Sequence, residues 1–158
     1  NTKHTKMVWE EILSRTDTLK FAKQDVLGGI VFRHLKDKNS KQLDATPTSY
    51  SFEVRKDIPE ILQAFAGKEF VAREDIKMSE AAFIYSVSGK LEGMLEYRSI
   101  ATYNATLTDT STNLKLALQV NFGETVSSLH KEAVKAFMTA QVNEWFRTLP
   151  DYIKKYKR

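Results

Sequence analysis

The chain has 158 residues, of which 42% are hydrophobic and 28% charged, and this balance is typical of a folded protein with a sizeable core. It contains no cysteine, which excludes disulfides, thiolate metal sites and a cysteine nucleophile. No apolar run is long enough to cross a bilayer, and no signal-peptide pattern is visible. We therefore expect residues 1–158 to form one soluble domain, located in the cytoplasm or inside an organelle.

The formal net charge is +4, and the basic residues are scattered except at the C-terminus, which carries Lys154, Lys155, Lys157 and Arg158. Cations at the end of a helix are favourable without any partner, because the negative pole of the helix dipole lies there. Proteins that bind nucleic acid more often carry a basic stripe interleaved with aromatic residues. The sequence has no such stripe and predicts no nucleic-acid partner.

The sequence lacks the short motifs that carry covalent chemistry, including nucleophile elbows, phosphate-binding loops and zinc-protease helices. Its histidines are His4, His34 and His130, which are too far apart in sequence to suggest a metal site without cysteine. The sequence therefore predicts no metal, no cofactor and no catalytic residue set. It favours a protein that is not an enzyme.

Hydrophobic residues recur at nearly helical spacing from Lys6 to Ala22, which predicts an opening helix. The glycine pair Gly28-Gly29 follows, and we interpret it as the end of this region. Beyond it the apolar period changes from 3.6 to 2, so Ile30 to Leu35 is predicted to be the first strand.

Further alternating segments predict an antiparallel sheet with one buried face. Pro59 and Gly67 bracket a predicted short helix between two of the strands. Ser88 to Gly93 and Asp109 to Thr112 are predicted to be turns. The alternating segments are, in chain order, Tyr50 to Val54, Phe70 to Met78, Phe83 to Val87, Tyr97 to Leu107 and Asn113 to Gly123.

The helical period returns from Glu124 to about Tyr156 and predicts a long amphipathic helix with a wide apolar arc. One flank of this arc carries Leu129, Ala136 and Ala140. Pro150 predicts a kink or an end, which would leave residues 151–158 as a final turn and tail. The other flank carries Val134, Met138, Val142, Trp145 and Leu149.

A sheet with one apolar face must be covered, and the terminal helix is the only predicted element long enough to cover it. We therefore predict an α+β helix-grip fold, in which a curved antiparallel sheet of six or seven strands surrounds the long C-terminal helix. A wide helix face against a curved sheet leaves room for an internal cavity, where small ligands are commonly held.

This order of elements resembles the START-like superfamily, also called SRPBCC. The segment from Val8 to Leu13 looks like its opening helix, and Asn113 to Phe122 followed by Glu124 to Leu149 is similar to its last strand and gripping helix. The insertion from Ile58 to Gly67 is similar to one in some of its lipid-binding branches. The resemblance implies a cavity for apolar molecules, in a superfamily that includes cyclases and lipid-transfer domains.

Two features depart from the pattern of that superfamily. Its members begin with a strand before the first helix, whereas only Asn1 to His4 precede the predicted helix here. The plant-allergen branch has a glycine-rich loop, whereas Lys36 to Ser49 contains no glycine. We therefore expect a very short or missing first strand, and membership of a different branch.

The faces predicted to point inward supply the candidate ligand-binding residues. Several of them are tyrosines, whose hydroxyls need a partner, and this favours a lined cavity over a solid core. The candidates are Phe52, Phe70, Glu74, Phe83, Tyr85, Tyr97, Tyr103, Phe122, His130, Phe137 and Gln141.

Polar groups on a buried face need partners, so the polar candidates carry the specific hypotheses. His130 is expected near the centre of the apolar arc beside Phe137, with Gln141 on the same side, where both would orient the polar end of a ligand. The alternative for His130 is a core histidine bonded to a strand. Glu74 is expected to face inward as an acid or base. Alternatively, a bulge from Arg73 to Asp75 turns it to solvent.

These observations favour binding or transfer of a hydrophobic small molecule or lipid in the cavity, and a lipid cargo would imply peripheral contact with a membrane. One alternative is a cyclase-like or hydrolase-like enzyme that uses His130 or Glu74 as acid or base. Another is a structural subunit whose cavity has closed and whose surface binds protein partners. All three kinds of protein occur on this fold, so the fold does not decide among them.

Overall fold

A computed structural model describes residues 9–78, 82–91, 95–105, 110–122 and 126–158, with the side chains at 65–66, 82–98 and 103–105 outside the description. The strands are β1 (Glu10–Leu19), β2 (Ser40–Thr46), β3 (Ser49–Asp57), β4 (Glu69–Met78), β5 (Ala82–Leu91), β6 (Leu95–Ala105) and β7 (Thr112–Phe122). The helices are α1 (Lys23–Lys36), α2 (Glu60–Ala66) and α3 (Ser128–Lys157).

The strands form one antiparallel seven-stranded sheet in the order β1-β7-β6-β5-β4-β3-β2. On β7 the residues at every second position from Thr112 to Val120 are buried, so one face of the sheet is covered. The helix α3 covers it, because Val134, Met138 and Leu149 share buried clusters with strand residues. The predicted helix-grip architecture is confirmed.

The opening of the chain differs from the prediction. Residues of the predicted helix from Lys6 to Ala22 form the strand β1, which pairs antiparallel with β7. Hydrogen bonds to the edge of the sheet outweigh the helical spacing of its apolar residues, most of which stay only partly buried. The first strand of the START-like pattern is therefore present, in the segment interpreted as the first helix.

The predicted strand from Ile30 to Leu35 is also wrong, because it belongs to α1. In a helix Val26, Ile30 and His34 lie four residues apart on one face, and all three are buried. Gly29, interpreted as a stop, lies inside this helix, where a Cβ atom would come within 2.5 Å of Ile153 Cγ1 on α3. The glycine pair serves close helix packing.

The middle of the chain follows the prediction more closely. The helix α2 lies between Pro59 and Gly67, whose φ of 82° suits glycine. The predicted turn from Ser88 to Gly93 is too long, because β5 continues to Leu91 and keeps its pairing with β4; Gly93 lies outside the described residues. The edge strand β2 was not predicted, since most of its residues are exposed and show no alternation.

The helix α3 begins later than expected, and it continues past Pro150 to Lys157, close to the predicted end near Tyr156. Its N-cap is Ser127, whose hydroxyl accepts a hydrogen bond from the backbone N–H of His130 at 3.2 Å, whereas Glu124 lies outside the described residues. Pro150 lies inside the helix and does not end it. Leu149 and Ile153 on either side are fully buried in the cluster with α1, and this packing holds the last turns in place.

One flank of the predicted apolar arc of α3 faces solvent. Leu129 is 78% exposed, and Ala136 and Ala140 are also exposed. The prediction counts both flanks of the arc as buried, because alanine and leucine are both apolar residues in such a pattern. In the structure only one of the two flanks meets the sheet. The buried line of the helix runs through Val134, Met138, Phe146, Leu149 and Ile153.

The buried residues that the structure describes form two core clusters, and α3 contributes to both. The first cluster joins the C-terminal half of α3 to α1 and includes Phe52, Ile76 and Leu149. The second joins the N-terminal half to α2 and includes Leu62 and Val134. No helix in the described part of the chain is long and apolar enough to cross a membrane.

Candidate functional site

A cavity of about 110 Å³ lies between α3 and the sheet, where the two core clusters meet. Its lining is mostly apolar and includes a few polar groups. Lining residues from the sheet are Val54, Lys56, Phe70, Ala72, Glu74, Ser99, Ala101, Leu116 and Leu118, and those from α3 are Phe137, Met138, Gln141, Val142 and Trp145.

The cavity arises from small side chains on the central strands. The register pairs Val54 with Ala72, and Ala101 with Leu116, so these residues share the inner face. Ala72 and Ala101 are buried but short, and they leave space beneath α3 where longer side chains would fill the core. Among the described residues, these short side chains leave space between the two packed clusters.

Glu74 is a buried carboxylate at this cavity. Its Oε1 lies 3.2 Å from Nε2 of His34, and the two side chains are only 10% and 6% exposed. Nδ1 of His34 contacts the hydroxyl of Ser40 at 3.1 Å. The imidazole also stacks on Phe52, with ring centroids 4.3 Å apart. The register pairs Phe52 with Glu74, so the strand pairing itself places the carboxylate against the histidine.

A second polar pair lies at another part of the lining. Nζ of Lys56 donates to Oε1 of Gln141 at 3.2 Å, which links β3 to α3. Phe52 is paired with Glu74, and Lys56 lies four residues further along β3. The backbone positions of Lys56 and Glu74 are therefore about 13 Å apart along the strands. The cavity therefore has a carboxylate and an ammonium group well apart, with apolar residues between them.

Trp145 is held from outside the cavity by Arg33 of α1. The guanidinium lies 5.8 Å from the indole ring, and it donates to the Trp145 carbonyl and the Thr148 hydroxyl. Desolvation lowers the pKa of Arg33, and the charges of Tyr152 and Glu74 act in the opposite direction. The group stays a cation at neutral pH and ties α1 to the helix that lines the cavity.

The structure brings some of the predicted site residues together. Phe70, Glu74, Phe137 and Gln141 line the cavity. Phe52 lies behind Glu74 and supports its histidine partner without lining the cavity. The strand backbones of Phe83, Tyr85, Tyr97 and Tyr103 are paired within the sheet, but their side chains lie outside the described residues.

Two predicted residues lie away from the cavity. His130 is half-buried in the first turn of α3 and is absent from the lining residues, because it lies one turn before Val134 at the start of the helix, whereas the lining residues of α3 begin at Phe137. Phe122 at the end of β7 is also half-buried, with Nζ of Lys131 5.9 Å from its ring centroid. This arrangement does not support a ligand contact for either of them.

Sequence reasoning missed His34, Lys56 and Trp145 as parts of the site. His34 lies at the same helical spacing as the buried Val26 and Ile30, and this i, i+4, i+8 pattern would have placed it on a buried helix face. Lys56 continues the inward alternation of Phe52 and Val54. It was missed because a charged residue is normally expected to face solvent.

No protein-family profile matches the chain, and no curated protein sequence matches it either. Several solved structures do match it in three dimensions. A norcoclaurine synthase from Thalictrum flavum, a point mutant in complex with a transition-state analogue, is 11% identical with a TM-score of 0.62, and the match covers 98% of this chain and 100% of that one.

Two further matches come from bacteria. A START superfamily protein from Mycobacterium smegmatis is 14% identical with a TM-score of 0.57, covering 92% of this chain and 99% of that one. The Zhui aromatase/cyclase from Streptomyces sp. R1128 is 10% identical with a TM-score of 0.52, covering 96% and 95%. At these identities the likeness extends to the fold alone, and the protein has the START-like, helix-grip fold.

Proposed function

We propose that the protein binds a small hydrophobic molecule in the cavity between α3 and the sheet. The observation that carries this proposal is the cavity itself, an apolar void of about 110 Å³ kept open at the centre of a core whose two ends are packed. Apolar cavities of about 150 Å³ hold benzene-sized molecules. This cavity is smaller than that but partly open to solvent, so a single ring can occupy it with a short substituent at the opening, whereas a whole lipid exceeds its volume.

The lining supports binding over a purely structural role. A structural subunit gains stability by filling such a void, because each missing group costs contacts. Among the described lining residues, Ala72, Ser99 and Ala101 are short side chains on β4 and β6 that leave the space beneath α3 unfilled. The few polar groups among apolar ones are the usual composition of a small-molecule site.

Trp145 provides a direct reporter for binding. The chain has two tryptophans, and the other one, Trp9, is 39% exposed. In a Trp9→Phe background only Trp145, which lines the cavity, gives tryptophan emission. Titration with ethylbenzene is expected to change that emission in a saturable way. A linear, unsaturable response would contradict the proposal.

Filling the cavity should abolish this binding. In Ala72→Leu the longer side chain occupies the space beneath α3, so the affinity for ethylbenzene is expected to fall at least about tenfold. The unfolding free energy should change by less than about 1 kcal/mol, because the side chain enters a void. In a core without a cavity the same change would cost about 1–3 kcal/mol.

The matched control is Ala140→Leu. Ala140 is exposed on α3 and does not line the cavity, so this variant adds the same group to the protein outside the site. We expect its affinity for ethylbenzene to equal that of the parent protein. If Ala72→Leu binds the probe as tightly as the parent protein, the probe binds elsewhere, and equal losses in both variants would mean that the loss does not come from filling the cavity.

A further inference from the structure

Glu74 has no role in packing that an apolar residue could not fill. Its inward neighbours on β4 are Ala72 and Ile76, which are 3% and 0% exposed. Removing a carboxylate from water is costly unless partners compensate it, and apolar replacements of buried ion pairs often stabilise proteins. A carboxylate at this position therefore does not benefit the stability of the fold. Residues that lower stability in this way are common in sites that recognise a ligand.

The carboxylate is also held in one orientation before any ligand arrives. His34 contacts Oε1, and the imidazole is fixed in turn by its stack on Phe52 and its contact with Ser40. With Nε2 against the carboxylate and Nδ1 against the Ser40 hydroxyl, both ring nitrogens of His34 have a partner. A recognition group supported in this way loses little freedom on binding.

An ionised carboxylate accepts hydrogen bonds and donates none, and its two oxygens offer about four acceptor positions. His34 contacts one oxygen, while the residue lines the cavity. Ser40, Phe52 and His34 are all absent from the lining residues. The group that Glu74 presents to the cavity is thus an acceptor at the edge of an apolar chamber.

We infer that the cavity selects molecules with a hydrogen-bond donor, a hydroxyl or an ammonium group, attached to a small apolar body, and that Glu74 receives this donor. The inference rests on the proposed function, because it assigns the ligand class of the same cavity. His34 acts as a positioning residue, since it touches Glu74 and is absent from the lining.

The test uses four probes of nearly equal size in the Trp9→Phe background. Ethylbenzene has no polar group, acetophenone only accepts, benzyl alcohol donates from a hydroxyl, and benzylamine donates from an ammonium group. Benzyl alcohol or benzylamine is expected to bind at least about tenfold more tightly than acetophenone. The better of the two shows whether a hydroxyl or an ammonium is the preferred donor.

Glu74→Gln is the diagnostic variant, because glutamine keeps the shape and its carbonyl still accepts from His34, while its amide NH₂ now donates. We expect benzylamine to lose at least about tenfold in affinity, acetophenone to gain, and ethylbenzene to stay unchanged. Unchanged ethylbenzene binding also shows that the variant folds.

Two different failures can be told apart. If ethylbenzene binds and the order of the polar probes is the same before and after Glu74→Gln, the donor inference is overturned while the proposed function stands. If none of the probes changes the emission of Trp145, both are overturned.

Discussion

His34→Leu is expected to lower the free energy of unfolding by about 3–5 kcal/mol. The side chains of His34 and Glu74 are 6% and 10% exposed, so the substitution leaves a carboxylate without its nearest partner away from water. It also removes the ring that stacks on Phe52. Denaturant unfolding followed by circular dichroism measures the loss, with the slope checked to confirm two-state behaviour.

A double-mutant cycle separates this effect from lost packing. Glu74→Leu removes the carboxylate and its contact with Nε2 of His34, and the loss of that contact costs about 1–3 kcal/mol. The double variant His34→Leu with Glu74→Leu replaces the pair by apolar groups and should recover most of the stability lost in His34→Leu. If the double variant is as unstable as His34→Leu, the loss comes from packing and not from the stranded carboxylate.

Gly29→Ala is expected to destabilise the protein by about 3 kcal/mol, near the upper end for overpacking. The new Cβ would lie 2.5 Å from Ile153 Cγ1 and 2.9 Å from Ile153 Cα, and the second of these atoms belongs to the backbone of α3. The two helices must therefore move apart. A chain of this size should lose about 2–4 °C in Tm for each kcal/mol.

Gly28→Ala is the matched control, one residue away on the same helix. A Cβ there would collide with the ring of Tyr156, which is 47% exposed and can swing into solvent. Alanine gains about 1 kcal/mol over glycine in a helix, and this offsets the displaced ring. We expect a change in Tm close to zero. Equal losses for both glycines would show that α1 does not pack on α3 as described.

The sequence was sufficient to predict the sheet from Tyr50 onward and the long terminal helix. In β7 the alternation from Leu114 to Val120 matches the buried and exposed faces of the strand. Such patterns are reliable where one face meets the core and the other meets water. The edge strands β1 and β2 lack that contrast, since most of their residues are at least partly exposed.

The first helix was missed because two local signals pointed away from it. Glycine pairs usually end helices, and Gly28-Gly29 was interpreted in that way. These positions are glycine because Ile153 and Tyr156 of α3 approach the helix closely there. Both residues are far away in sequence, so local spacing does not reveal this contact. The same error concealed His34, so Glu74 was identified as an inward carboxylate without the partner that holds it.

Four of the fourteen described lining residues were thus identified as candidate ligand contacts from pattern alone. Phe70, Glu74, Phe137 and Gln141 follow from the two periods, because the inner face of a strand and the buried arc of a helix must meet. Predicting that His130 lies in the first turn of α3 requires knowledge of where the helix begins. That start is set by the cap at Ser127 and not by the apolar pattern.

The order of the strands has a consequence for how the chain folds during synthesis. Among the described residues, the first strand β1 pairs with β7 alone. Leu19 lies opposite Thr112, so this pairing joins two segments that are about ninety residues apart in sequence. Until β7 has left the ribosome, β1 has no native partner and its backbone groups remain available to other chains. Folding is therefore governed by a late, long-range closure, which makes it slow relative to helical proteins of the same size.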